Sequence, residues 1–267
     1  MNPLRRCGLW LAALLLCTHA TVASEPPVVR LHLAGDSTLA DKHPKDFPET
    51  GWGTPFATFF GDALQVINYA QNGRSTRSFR DEGLWDQLLA AIQPGDWVII
   101  QFGHNDEAKH KRERYSSPAQ FEANLTRFVR EVRERNATPI LATPVTRRKF
   151  SGDLIVETHP LYSERVANVA KAQNILLLDL DSITRDWFSA QGDAASRLRF
   201  MHLAPGDHPN YPVGVSDNTH FNELGAREVA QLVLRELRLL KHPLIQYLRT
   251  PDPKHLQLEY TVERPSH

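Results

Sequence analysis

The chain has 267 residues, enough to bury one large α/β core without splitting into separate domains. Its 31 basic residues balance 31 acidic ones, so no global positive charge points to a nucleic-acid partner. The two cysteines, Cys7 and Cys17, both lie in the first 24 residues. There Arg5 and Arg6 precede an apolar run from Gly8 to Leu16, with small residues at Thr21 and Ala23, the pattern of a cleaved secretory signal. The run is too short to read as a membrane span. Leu16 is large where a small residue normally precedes a lipidated cysteine, which disfavours an anchor on Cys17. Removing residues 1–24 leaves no thiol, which excludes disulfides, zinc-thiolate sites and cysteine nucleophiles together. The expectation is an exported protein, secreted or periplasmic, with no stable membrane partner and residues 25–267 as one domain.

A first strand is expected from about Val28 to Ala34, ending at Gly35-Asp36-Ser37. Thr54-Pro55 reads as a helix start, with Phe56, Phe59, Phe60 and Leu64 on its buried side. Gln65–Ala70 is a second strand running into Gln71-Asn72-Gly73-Arg74-Ser75. A helix follows from about Arg80 to Ile92, stopped by Pro94-Gly95. Asp96–Phe102 contains Trp97-Val98-Ile99-Ile100, a continuous apolar run typical of a central parallel strand, and it stops at Gly103-His104-Asn105-Asp106. Pro118 opens a long amphipathic helix through Phe121, Leu125, Phe128, Val129 and Val132. A fourth strand spans Pro139–Ala142. A helix over His159–Gln173, a strand over Ile175–Leu178 and a helix over Ser182–Ser189 continue the alternation. A polar loop leads to Asp217-Asn218-Thr219-His220, and the last helix covers about Asn222–Leu240. Residues 241–267, with four prolines, read as an irregular tail wrapped on the domain. Five strands alternating with helices imply a parallel sheet covered on both faces, with its chemistry at the carboxyl ends of the strands.

Four polar clusters fall at those ends or before the last helix. A serine hydrolase needs a nucleophile, a base, an acid that holds the base's tautomer, and donors for an oxyanion. Ser37 is the candidate nucleophile. Asp217 and His220 are three apart, so one helical turn between them would bring the carboxylate to a ring nitrogen and leave the other nitrogen for Ser37. Gly73 offers a bare backbone N–H and Asn105 a side-chain amide. Each motif has a plainer reading as a turn or a cap when taken alone. His104 and Asp106 make a poor metal site, because no cysteine or spaced histidine pair stands beside them. Asn124-Leu125-Thr126 and Asn136-Ala137-Thr138 fit the glycosylation acceptor pattern, which matters only in a eukaryotic secretory route.

Taken in order, Gly35-Asp36-Ser37, Gly73, Gly103-His104-Asn105-Asp106 and Asp217-x-x-His220 resemble the SGNH or GDSL hydrolase superfamily. Within it, Gly35–Ala40, Asn72–Ser75, Thr143–Arg148 and Asp217–Asn222 are similar to the rhamnogalacturonan acetylesterases. The resemblance implies a flavodoxin-like, three-layer α/β/α fold on a five-stranded parallel sheet. It also implies Ser37 as nucleophile, His220 as base and Asp217 as its orienting acid. The Ser37 and Gly73 N–H groups and the Asn105 side chain would make the oxyanion hole. The implied enzyme is a carboxylic ester hydrolase that removes O-acetyl groups from acetylated plant cell-wall polysaccharide and uses no metal or organic cofactor; a monomer is expected. Arg74, Arg147 and Arg148 are expected to bind substrate, as part of a cationic rim on the loops after the second, third and fourth strands.

Overall fold

The computed structural model describes residues 28–249. The segment expected to be a secretory signal, both cysteines and the tail beyond residue 249 lie outside them. The chain runs β1 (Val29–Gly35), α1 (Gly53–Ala57), β2 (Leu64–Asn68), α2 (Thr76–Asp81), α3 (Leu84–Ala91), β3 (Trp97–Gln101), α4 (Pro118–Glu134) and β4 (Thr138–Ala142). It continues through a short hairpin of β5 (Phe150–Ser151) and β6 (Leu154–Ile155), then α5 (Pro160–Gln173), β7 (Leu176–Leu178) and α6 (Leu180–Arg197). A second hairpin, β8 (Phe200–Leu203) and β9 (Val215–Phe221), precedes α7 (Glu223–Leu239).

Five strands form one parallel sheet in the order β2-β1-β3-β4-β7. Side chains alternate across it. Leu31, Leu33, Ile99 and Ile140 enter one core with Trp52, Phe56 and the inner face of α7. Ala34, Val98, Ile100 and Leu141 enter the other with Phe79, Trp85, Phe128 and the inner faces of α4 and α5. Each large apolar side chain buried this way contributes roughly 1.5–3 kcal/mol. Trp85 and Phe128 stack with ring centroids 3.9 Å apart, locking α3 to α4. This is the three-layer, flavodoxin-like architecture. The chain leaves β1 for β2 on one side and returns to β3 on the other, so the crevice where the order reverses opens at the carboxyl end of β1. Ser37 sits there.

Several elements depart from their expected form. The single helix over residues 80–92 is two, because Gly83 takes φ +77° between α2 and α3. Helix α2 starts earlier, at a capping box in which Ser75 and Ser78 exchange side-chain and backbone hydrogen bonds. Leu64 belongs to β2 rather than to α1. Helix α6 runs past Ser189 to Arg197, with a break at Gly192 (φ +76°). The loop expected before Asp217 is instead the β8–β9 hairpin. Residues 241–249 do wrap on the domain: Leu248 bridges Phe60, and Arg249 Nε donates to Phe60 O at 2.6 Å. No described helix is long and apolar enough to cross a membrane.

Candidate active site

The turn after β1 is held by its own side chains. Asp36 Oδ1 accepts from Thr38 N at 2.9 Å and Thr38 Oγ1 at 2.8 Å. Thr38 Oγ1 in turn accepts from Gln101 Nε2 at 2.7 Å, and Gln101 Oε1 accepts from Trp52 Nε1 at 2.7 Å. This buried network ties the turn to β3 and leaves Ser37 at the edge of the sheet, 8% exposed.

Asp217 and His220 come together by a route other than a helical turn. Phe200 pairs with Phe221, but the next residue, Met201, pairs with Asp217, so residues 218–220 bulge out of β9. Within the bulge Asp217 Oδ1 accepts from Thr219 N at 2.6 Å and His220 N at 3.2 Å, which folds the carboxylate back on the imidazole. Asp217 Oδ2 then lies 2.7 Å from His220 Nδ1, and His220 Nε2 lies 2.8 Å from Ser37 Oγ. Burial alone would raise the Asp217 carboxyl. The His220 hydrogen bond and the two backbone N–H groups outweigh it and hold the group at about 2. An ionised Asp217 requires the proton of neutral His220 on Nδ1, which leaves Nε2 free to accept from Ser37.

Gly73 turns at φ +77°, a conformation that strains any residue with a Cβ. Asn105 Nδ2 donates to Arg74 O at 3.0 Å, with its second amide proton uncommitted. Asp106 is buried and bonded to the start of α2. It accepts from Thr76 Oγ1 at 2.5 Å and Thr76 N at 3.1 Å at the start of α2, and burial pushes its carboxyl up to about 7 against those bonds. His104 faces Asp36 Oδ2 at 3.3 Å and the His159 ring at 4.3 Å between centroids. His104 and Asp106 therefore serve different partners, and among the described residues no group of three His, Cys, Asp or Glu side chains is gathered to hold a metal ion.

The three arginines expected to meet substrate have other partners. Arg148 is buried at 8% exposure. Its guanidinium donates to Ser196 Oγ at 3.2 Å, Asn218 Oδ1 at 3.0 Å and Asp193 O at 2.6 Å, and pairs with the Asp193 carboxylate. It braces the bulge against α6 and does not reach the rim. Arg147 is partly exposed and bonds Thr219 Oγ1 at 2.5 Å and Glu107 Oε1 at 3.2 Å. Arg74 is paired with Glu82. Of the cations on the loops after β2, β3 and β4, those left exposed and without an ion pair are Lys109, Lys111, Arg112 and Lys149. Lys42, which no motif singled out, places its ammonium 2.6 Å from Ser37 O.

Residues 33–228 match the family described as GDSL-like lipase/acylhydrolase. The rhamnogalacturonan acetylesterase RhgT of Bacillus subtilis is 39% identical over 228 residues, covering 85% of this chain and 97% of that protein. A probable rhamnogalacturonan acetylesterase of the same organism, YesY, is 33% identical over 217 residues, 81% of this chain and 95% of that one. The crystal structure of Bacillus subtilis YxiM superposes with a TM-score of 0.70 at 26% identity, over 81% of this chain and 58% of that chain. The chain belongs to the GDSL (SGNH) lipase/acylhydrolase family and is a carboxylic ester hydrolase.

Proposed function

We propose that the protein is an exported esterase that removes acetyl groups from the rhamnogalacturonan part of pectin, through an acyl-enzyme on Ser37. The observation that carries the chemistry is the unbroken line Asp217–His220–Ser37, with its 2.7 Å and 2.8 Å hydrogen bonds. His220 Nε2 takes the Ser37 hydroxyl proton as Oγ bonds to the ester carbonyl carbon, and the carbonyl electron pair moves onto oxygen. The N–H groups of Ser37 and Gly73 and the amide of Asn105 face that oxyanion, while Asp217 stabilises the imidazolium. The bond to the sugar oxygen then breaks, and that oxygen leaves with the proton from His220. Water attacks the acetyl-Ser37 ester, giving its proton to His220. Acetate departs as Ser37 recovers its own. In this scheme the chain's own groups handle every proton and charge.

The choice of substrate rests on the relatives' activity and on the free cations near the site. Galacturonate units make pectin a polyanion, whereas xylan is largely neutral. Acetate release should be measured on acetylated rhamnogalacturonan, acetylated xylan and small esters of increasing acyl length. The expected order is rhamnogalacturonan ahead of xylan, with acetyl ahead of longer acyl groups. Equal rates on the two polymers would remove pectin from the reading, and faster turnover of long acyl chains would make the enzyme a general lipase. Export is tested separately by N-terminal sequencing of protein recovered outside the cytoplasm, which should begin near residue 25.

A further inference from the structure

One donor of the proposed oxyanion hole depends on how a single peptide unit is turned. The Gly73 N–H belongs to the amide it shares with the Asn72 carbonyl, and in a trans peptide the two point in opposite directions. Arg74 Nη1 donates to Asn72 O at 2.7 Å. The guanidinium is itself fixed, because Glu82 Oε2 accepts from Arg74 Nε at 2.9 Å and Nη2 at 2.6 Å. On the other side, Lys42 Nζ donates to Asn72 Oδ1 at 2.6 Å and to Ser37 O at 2.6 Å, and pairs with Glu49 Oε1 at 2.7 Å. Three ammonium protons thus meet three acceptors, on a side chain only 5% exposed. Asn105, the third donor, hangs from the same loop through Arg74 O.

We propose that Arg74, on the Asn72 carbonyl, and Lys42, on the Asn72 side chain, form a cationic clamp on Asn72, in which Arg74 polarises the Asn72–Gly73 amide and both aim the Gly73 N–H toward the oxyanion. Both are positioning residues, and the proposal rests on the oxyanion-hole reading given above. A cation on the carbonyl oxygen draws density through the amide and strengthens its N–H as a donor. The bond from Lys42 to Ser37 O also sets the spacing between the nucleophile and this loop. Without the clamp, a glycine at an exposed turn is free to rotate its amide away, and the donor would have to be re-aimed at each turnover. The guanidinium committed to Glu82 and Asn72 has little left for a sugar, so its work is on the loop.

The test is kcat and KM for Arg74→Ala, Arg74→Lys and Lys42→Met on a small neutral ester, p-nitrophenyl acetate, beside wild type and Asn105→Ala, with thermal melts of each. The clamp predicts a fall of about 10- to 100-fold in kcat for Arg74→Ala and Lys42→Met, with KM nearly unchanged. Partial recovery is expected in Arg74→Lys, which restores the cation but not the fork. If Arg74 held substrate instead, Arg74→Ala would keep wild-type kcat on this ester and lose only polymer binding, which overturns the clamp. Impaired Asn105→Ala alongside full-rate Arg74→Ala and Lys42→Met removes the clamp and leaves the oxyanion hole. A full-rate Asn105→Ala removes both. Should Arg74→Ala fail to fold, Glu82→Gln frees the guanidinium with less disturbance and should shift kcat in the same direction.

Discussion

At Asp217 a single atom exchange tests the tautomer argument. Asp217→Asn keeps the shape but lets the amide donate to Nδ1, which moves the imidazole proton to Nε2 and removes the acceptor that Ser37 needs. The expected loss is about 10⁴-fold in kcat with the fold intact, read by steady-state kinetics and circular dichroism. Asn105→Ala should cost less, about 10²- to 10³-fold, since two backbone donors remain. Ser37, Asp217 and His220 each have a common use as a turn or cap residue. It is their order beside Gly73 and Asn105 that points to a hydrolase, so the residues of the proposed triad were legible only as a set. Lys42 was not, because its acceptors on Asn72 and Glu49 are brought to it only by the fold, 30 residues and 7 residues along the chain. Arg148 misled for the opposite reason. An arginine on a loop at the carboxyl edge reads as solvent-facing, and only the α6 partners reveal that it turns inward.

The element that most depends on Arg148 is the β9 bulge. Its backbone N–H donates to Asn218 O at 2.7 Å and its guanidinium reaches Asn218 Oδ1, so one residue holds the segment that bends Asp217 onto His220. Arg148→Ala should destabilise by about 2–3 kcal/mol, from lost hydrogen bonds and an unfilled site, and should lower kcat by loosening the bulge. It should leave the response to salt unchanged, as checked by denaturant titration beside kinetics at two ionic strengths. The bulge also marks where pattern reading stops. The five parallel strands are apolar runs bounded by turn residues, and helices α4 and α7 carry clear apolar stripes, so their periods show through. Hairpin β8–β9 is half polar and its strands are separated by a long Pro/Gly-containing loop, so no local alternation announces its pairing. Gly83 and Gly192 break helices whose apolar spacing runs on past them, so their φ values had to be seen.

For the whole molecule, two electrostatic responses follow. Burial drives the His104 imidazole from 6.5 down to about 4, with His159 adding to the shift and Asp36 opposing it. A group held neutral in the fold contributes stability that is fully present above pH 6.5. That contribution is lost as the pH falls toward 4, because the unfolded chain takes up the proton first. Asp106, pushed up, acts with the opposite sign between about pH 4 and 7. The readout is therefore a difference: between pH 7 and 5, the Tm of wild type should fall further than that of His104→Gln. Equal slopes would show that His104 is not the group involved. The second response concerns the rim. Lys109, Lys111 and Arg112 follow β3 at the catalytic edge of an almost neutral protein, and a polyanion would feel them at long range. Salt should lower kcat/KM on acetylated rhamnogalacturonan while barely affecting a small neutral ester, and replacing the three by alanine should flatten that dependence.

The most direct measurement is acetate release by Ser37→Ala. Everything argued for the site converges on one oxygen, 2.8 Å from His220 Nε2 at the switch point of the sheet. A folded Ser37→Ala protein should release acetate at least about 10⁴-fold more slowly than wild type, on polymer and small ester alike, with its melting temperature preserved. Acetate released at close to the wild-type rate by that protein would contradict the account.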